Sequence, residues 1–164
     1  MPTIRPATRA DVTLIHDFVC ELADYEKLRH EVEASAADVE AALFGPTPRV
    51  YCDIAELEGG PAGFALWFYN YSTFRGRHGL YLEDLYVRPA HRGRGVGRAL
   101  LRHLARRCVA EQLGRFEWSV LDWNQPSRRF YEALGARPMT DWIIHRVAGD
   151  ALAALAAEAD VARP

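Results

Sequence analysis

A run of alternating glycines, Arg92-Gly93-Arg94-Gly95-Val96-Gly97, lies where an apolar stretch over residues 79–87 gives way to an amphipathic one over 96–111. The apolar stretch reads as a strand. The amphipathic one repeats Val96, Leu100, Leu101, Leu104 and Cys108 at helical spacing. A glycine junction between strand and helix leaves a row of backbone N–H groups unshielded at the positive end of a helix dipole. Such a cradle suits a phosphate or pyrophosphate.

Spacing decides among the phosphate loops. A Walker loop needs G-x-x-x-x-G-K-[ST], a string the chain lacks. A dinucleotide fingerprint needs G-x-G-x-x-G near the first strand, whereas this run reads G-x-G-x-G and lies past mid-chain. The run does satisfy [RQ]-x-x-G-x-[GA] through Arg92, Gly95 and Gly97. A plain tight turn is the alternative reading of the same glycines.

Elsewhere the chain alternates short elements. Residues 3–5 read as a first strand ended by Pro6, and Val12, Leu14, Ile15, Phe18, Val19 and Leu22 mark a helix over 11–22. Residues 35–44 read as a second helix, opened by a capping-box-like Ser35 and Asp38 and closed by Gly45-Pro46. Strands follow at 50–56 and 62–71, joined by the turn Glu58-Gly59-Gly60-Pro61. A loop over 72–79 leads to the strand at 80–87, and Arg88-Pro89 ends it. After the glycine run and its helix, 115–121 is again a strand. Residues 124–134 make a short helix with Pro126 in its first turn and Gly135 just past its end. Residues 142–147 read as a last strand and 150–161 as an Ala-rich helix. This order predicts one α/β (α+β) domain over 1–164, with a mixed sheet and helices on its faces.

At 164 residues, 49% hydrophobic and 26% charged, the chain can bury a real core. A net charge of -2 argues against a protein devoted to nucleic acid or anionic membrane, although Arg88, Arg92, Arg94, Arg98, Arg102, Arg106 and Arg107 crowd one region. Arg98, Arg102 and Arg106 read as a solvated helix face, since the anion-binding field fades after the first turn. Cys20, Cys52 and Cys108 are scattered, which fits a reducing cytoplasm better than a disulfide framework. The six histidines share no ligand spacing, so no metal is expected. No window approaches the ~20 apolar residues that span a membrane, and residues 1–9 lack a signal core.

The glycine run resembles the acyl-CoA-binding loop of the GNAT acetyltransferase superfamily. Leu80-Tyr81-Leu82-Glu83-Asp84-Leu85-Tyr86-Val87 before it is similar to the diamine acetyltransferase branch, which includes the spermidine/spermine and thialysine N-acetyltransferases. So are Val120-Leu121-Asp122-Trp123-Asn124-Gln125 and Phe130-Tyr131-Glu132-Ala133-Leu134-Gly135-Ala136 after it. Ile4-Arg5-Pro6-Ala7 and Ala23-Asp24-Tyr25-Glu26-Lys27 also fit, and the resemblance is weakest after Met139. It implies a GNAT fold with a mostly antiparallel twisted sheet of about six to seven strands. It further implies acetyl-CoA as co-substrate, a small-molecule amine as acceptor, and a homodimer.

That chemistry sets clear demands. A lysine-like ammonium has a pKa of about 10.4, so freeing its lone pair near pH 7 costs roughly 4–5 kcal/mol. A base must take the proton, a donor must meet the oxyanion, and the departing thiolate needs a proton. Glu83 and Asp84 are adjacent in a strand and therefore directed to opposite faces. The resemblance assigns Glu83 as a base acting through water; capping a loop or pairing with an arginine is its other reading. Asp84 then serves as an orienter or cation partner. The resemblance assigns Tyr131 as proton donor to the leaving sulfur, against simple packing. It assigns Asn124 to the pantetheine arm, a role compatible with N-capping, and Ser127 to the cofactor as well. The backbone of Leu85, Tyr86 and Val87 would meet the pantetheine amides as an added strand would. Arg92, Gly93, Arg94, Gly95, Val96 and Gly97 would cradle the pyrophosphate.

Acid and aromatic residues suit a cationic amine. Tyr25 and Glu26 fall where the branch lines its acceptor site, together with Ser72, Phe74, Glu83, Asp84 and Trp142. Polyamine-specific members carry an acid near Ser72 and a tryptophan near Phe74. Here Ser72-Thr73 resembles the thialysine type, which favours a small diamine or lysine-like acceptor. Core packing is the alternative for Phe74 and Trp142. A non-catalytic acyl-CoA-binding module, or an enzyme acting on a protein lysine or an aminoglycoside-like amine, would carry the same loop.

Overall fold

The computed structural model describes residues 1–157, which divide into two compact units between Ser119 and Val120. The first holds β1 (Thr3–Pro6), α1 (Val12–Glu26), α2 (Ala36–Phe44), β2 (Tyr51–Leu57), β3 (Gly60–Ser72), β4 (Arg77–Val87), α3 (Val96–Ala110) and β5 (Phe116–Trp118). The second holds α4 (Gln125–Glu132) and α5 (Gly149–Ala157). Residues 158–161 of the expected last helix lie outside the described residues.

The strands form one sheet in the order β1-β2-β3-β4-β5, antiparallel from β1 to β4, with β5 parallel to β4. The fold is the mixed, mostly antiparallel sheet that the sequence implies, with five strands among the described residues rather than six to seven. The missing strand is 142–147, an irregular stretch in which Trp142 is 71% exposed and Ile143 79%. Apolar and β-branched residues favour a strand only where a ladder and a packed face receive them. The expected loop over 72–79 is a tight connection between Ser72 and Arg77, because both strands run further than their apolar cores.

Helices cover both sheet faces. Ile15 and Phe18 of α1 and Leu43 of α2 pack with Cys52, Ile54, Phe64 and Tyr86 on one face. The Phe18 and Phe64 rings stack 5.3 Å apart. On the other face, α3 buries Val96, Leu100, Leu101 and Leu104, the stripe its periodicity marks. There Trp67 Nε1 donates to the buried Asp53 at 2.8 Å, and the Arg107 guanidinium lies 4.9 Å from the Trp67 ring centroid.

Two polar devices start the helices. Ser35 and Asp38 form a capping box at α2, as expected. Asp11, just before α1, accepts two 2.8 Å bonds from Arg5 of β1 and one from the Thr8 backbone N–H. The Arg5 bonds hold the Asp11 carboxyl well below its ordinary range. Its side chain is only 10% exposed, so water does little to screen the pair. A depressed carboxyl stabilises above its unfolded pKa, and that stability is lost as pH falls. Asp11→Asn should therefore lower unfolding free energy by about 2 kcal/mol at pH 7. In urea titrations the gap to wild type should narrow below pH 3.8, the unfolded value.

Candidate active site

The pairing of β3 with β4 slips by one residue in mid-strand. Leu66 lies opposite Asp84, yet Trp67 lies opposite Leu82, so Glu83 is an extra residue on β4. This β-bulge changes the alternation expected of adjacent acids. In a regular strand Asp84 would share the face of Leu82, toward α3. The bulge instead places Asp84 opposite Leu66, which lies opposite Cys52 on the α1 face. Glu83 is exposed and Asp84 half-buried.

The last residue of α1, Glu26, is half-buried near that site. Burial raises its carboxyl above the ordinary range. Burial first, then the charges of Glu83 and Glu26, push Asp84 up to about 7. Glu83 and Glu26 thus both lie within electrostatic reach of Asp84. Among the described residues, no three His, Cys, Asp or Glu side chains are placed to ligate one metal.

Beside the acids, Arg92 braces the structure. Its Nε donates to the Val87 carbonyl at 2.9 Å, and its guanidinium lies 4.7 Å from the Tyr25 ring centroid and 5.7 Å from that of Tyr86. Arg92 thus ties the glycine loop to α1 and β4 through its side chain. A second tie escapes sequence reasoning: Arg88 donates to Glu21 of α1 at 2.8 Å and stacks over Phe18. Nothing in the spacing of Glu21 and Arg88 announces it.

The glycine loop has the predicted form. Gly93 and Gly95 adopt φ of 72° and 81°, and Gly95 is the N-cap of α3 with no side-chain cap. The first N–H groups of α3 are therefore open to a ligand rather than capped from within. Arg94 pairs with Glu58 in the β2–β3 turn, and that bond holds the Glu58 carboxyl below its ordinary range.

β4 also offers a free edge. β5 pairs with it only from Leu80 to Leu82. From Glu83 to Val87, including Leu85 and Tyr86, no strand among the described residues takes up that side. An extended polar chain could continue the ladder there.

The structure does not bring every expected acceptor residue to this place. Ser72 ends β3 opposite Arg77, six positions along β4 from Glu83, or about 20 Å of strand. Its hydroxyl accepts from the Arg75 backbone N–H, which makes it a turn residue, and Phe74 is 95% exposed in the same turn. The hairpin carries both to the far end of the sheet.

In the second unit, the buried Asn124 is the N-cap of α4, its side chain accepting from the Ser127 N–H at 3.3 Å. That is the capping role the sequence allowed. Tyr131 lies on α4, half-buried, with its ring 5.4 Å from that of Phe130. Gly135 follows at φ 89°.

The loop glycines generate a prediction. A Cβ at Gly95 meets nothing within 4 Å, so its cost is conformational alone. Gly95→Ala should lower unfolding free energy by about 1–2 kcal/mol. Gly60→Ala, equally open and not at positive φ, should change it by less than about 0.5 kcal/mol in the same urea titration.

Three comparisons place the chain. Residues 15–136 match the model of the acetyltransferase (GNAT) family. The chain is 36% identical to the thialysine N-epsilon-acetyltransferase of Bos taurus, over 93% of this chain and 96% of that protein. It is 30% identical to an L-ornithine N5-acetyltransferase of Arabidopsis thaliana, over 93% of this chain and 86% of that one. A solved integron cassette protein from the mobile metagenome of V. cholerae superposes with a TM-score of 0.79 at 25% identity, covering 96% of this chain and 98% of its own. An open strand edge, an uncapped glycine helix start and these matches lead to one conclusion: the chain belongs to the GNAT family of acyl-CoA-dependent N-acetyltransferases.

Proposed function

We propose that this protein acetylates a primary amine of a small cationic molecule, a diamine or a lysine-like amino acid, using acetyl-CoA in a ternary complex. The observation that carries the reading is the continuity of an open β4 edge with the uncapped, glycine-led start of α3. That geometry fits a molecule with amides along one part and a pyrophosphate at the end. Leu85, Tyr86 and Val87 would hold the amides through their backbones. Arg92, Gly93, Arg94, Gly95, Val96 and Gly97 would hold the pyrophosphate. Acetyl-CoA supplies, when bound, an activated acyl group as a thioester.

The residues of this chain then divide the work. Glu83 would take the ammonium proton through water, with Asp84, Tyr25 and Glu26 orienting the cation. Tyr131 would donate the proton that the leaving sulfur needs. Asn124 and Ser127 are proposed ligands of the co-substrate, and Trp142 of the acceptor. The names of the two relatives support an acceptor with a side-chain amine. We extend the reading to a cytoplasmic homodimer, which the free thiols of Cys20, Cys52 and Cys108 and the exposed Ile143 and Ile144 support.

A panel of diamines and lysine analogues, assayed by mass spectrometry of the product, tests this. At least one should be acetylated. Tyr131→Phe should lower turnover by about 100-fold or more while leaving coenzyme A affinity within a few fold. Tight binding of coenzyme A with no acetylation of any amine would contradict the enzyme reading. An unaffected Tyr131→Phe would contradict the role of Tyr131.

A further inference from the structure

We propose that Arg94 exchanges the carboxylate of Glu58 for the coenzyme A pyrophosphate, so that Glu58, outside the glycine loop, weakens the hold of the protein on its cofactor. The inference rests on the acetyl-CoA reading and goes beyond it by naming a residue of the β2–β3 turn that sets cofactor affinity and release.

The two arginines of the loop differ in what holds them. The Arg92 Nε donates to the Val87 carbonyl at 2.9 Å, and its guanidinium lies over Tyr25 and Tyr86. Those contacts fasten it to β4 and α1. Arg94 instead stands between Gly93 and Gly95, whose φ of 72° and 81° turn the chain into α3. It therefore immediately precedes the N-cap whose helix start is open to a phosphate. Its Nη2 donates to Glu58 Oε1, and its Nη1 lies 3.5 Å from Oε2. The contact joins residues 36 positions apart, with side chains 42% and 68% exposed.

The turn fixes the other partner. β2 and β3 join through Glu58 and Gly59, with Leu57 opposite Gly60. Both turn residues have positive φ, 57° and 79°. Such a two-residue hairpin favours Asn, Asp or Gly at its first position. Turn geometry alone does not account for a glutamate there, whereas the bond to Arg94 gives its carboxylate a use. His91 and the N-terminal amine also act on Glu58 as positive charges.

An exposed ion pair is weak and readily exchanged. A guanidinium on a phosphate makes a stronger, charge-assisted contact. The cofactor therefore captures Arg94, at the cost of the Glu58 pair. Coenzyme A keeps its pyrophosphate after losing the acetyl group, so the same exchange run backwards eases product release, a step that limits many enzymes.

Isothermal titration calorimetry with coenzyme A and with 3′-dephospho-coenzyme A tests this on wild type, Glu58→Gln, Arg94→Gln and the double variant. Glu58→Gln should bind both ligands about twofold to fivefold more tightly. Arg94→Gln should bind both more weakly, and in its background the gain from Glu58→Gln should largely vanish. The inhibition constant of product coenzyme A against acetyl-CoA should fall in Glu58→Gln by the same factor. Unchanged or weaker binding by Glu58→Gln would overturn the proposal. Equal tightening in both backgrounds would overturn the exchange, since plain repulsion by Glu58 needs no Arg94. A gain confined to coenzyme A would place Arg94 at the 3′-phosphate and overturn the pyrophosphate assignment. Wild-type protein that binds neither ligand would instead remove the cofactor reading, and the proposal with it.

Discussion

One residue of slippage between β3 and β4 organises the acidic side of this site. Strand pairing is strict: opposed residues share a face, and a single extra residue exchanges the faces of everything beyond it. By inserting Glu83, the chain moves Asp84 off the α3 face and brings it within electrostatic reach of Glu26 at the end of α1. The same shift leaves Tyr86 opposite Phe64, where it packs near Phe18 at 6.2 Å between ring centroids. A half-buried carboxyl is thereby held on the face of a well-packed aromatic core. Burial, and then the like charges of Glu83 and Glu26, raise that carboxyl above its ordinary range.

The glycine loop depends on the same strand. β4 delivers the chain to the loop at Val87, and the Val87 carbonyl accepts the Arg92 side chain. Tyr25 flanks that guanidinium and belongs to the helix that carries Glu26. The proposed cofactor cradle and the proposed acceptor acids are therefore linked through α1, β4 and Arg92. Arg88 and Glu21 repeat the link one turn of chain away. These clamps join elements far apart in sequence, so they cost chain entropy to form and hold the loop in register once formed.

Much of this was legible in the sequence because it is local. Positive φ at Gly93 and Gly95, the capping box at Ser35 and the N-cap at Asn124 each follow from a few neighbouring residues. The bulge was not legible, since register is a relation between β3 and β4 that neither strand states alone. The adjacent acids Glu83 and Asp84 are the one hint, a break in the apolar alternation. Ser72 and Phe74 are expected at the acceptor site only through the family resemblance. The length of the β3–β4 hairpin, which no local pattern reveals, carries them away from Asp84. The run 142–147 shows the converse: strong β-formers without a ladder remain irregular chain.

The central claim is direct transfer of an acetyl group from acetyl-CoA to a small amine. Initial rates measured while both substrates are varied test it most directly. Direct attack in a ternary complex predicts reciprocal plots that intersect, with one acetylated amine formed for each coenzyme A released. Parallel plots, which mark an acetylated enzyme, or coenzyme A release without acetylated amine, would contradict it.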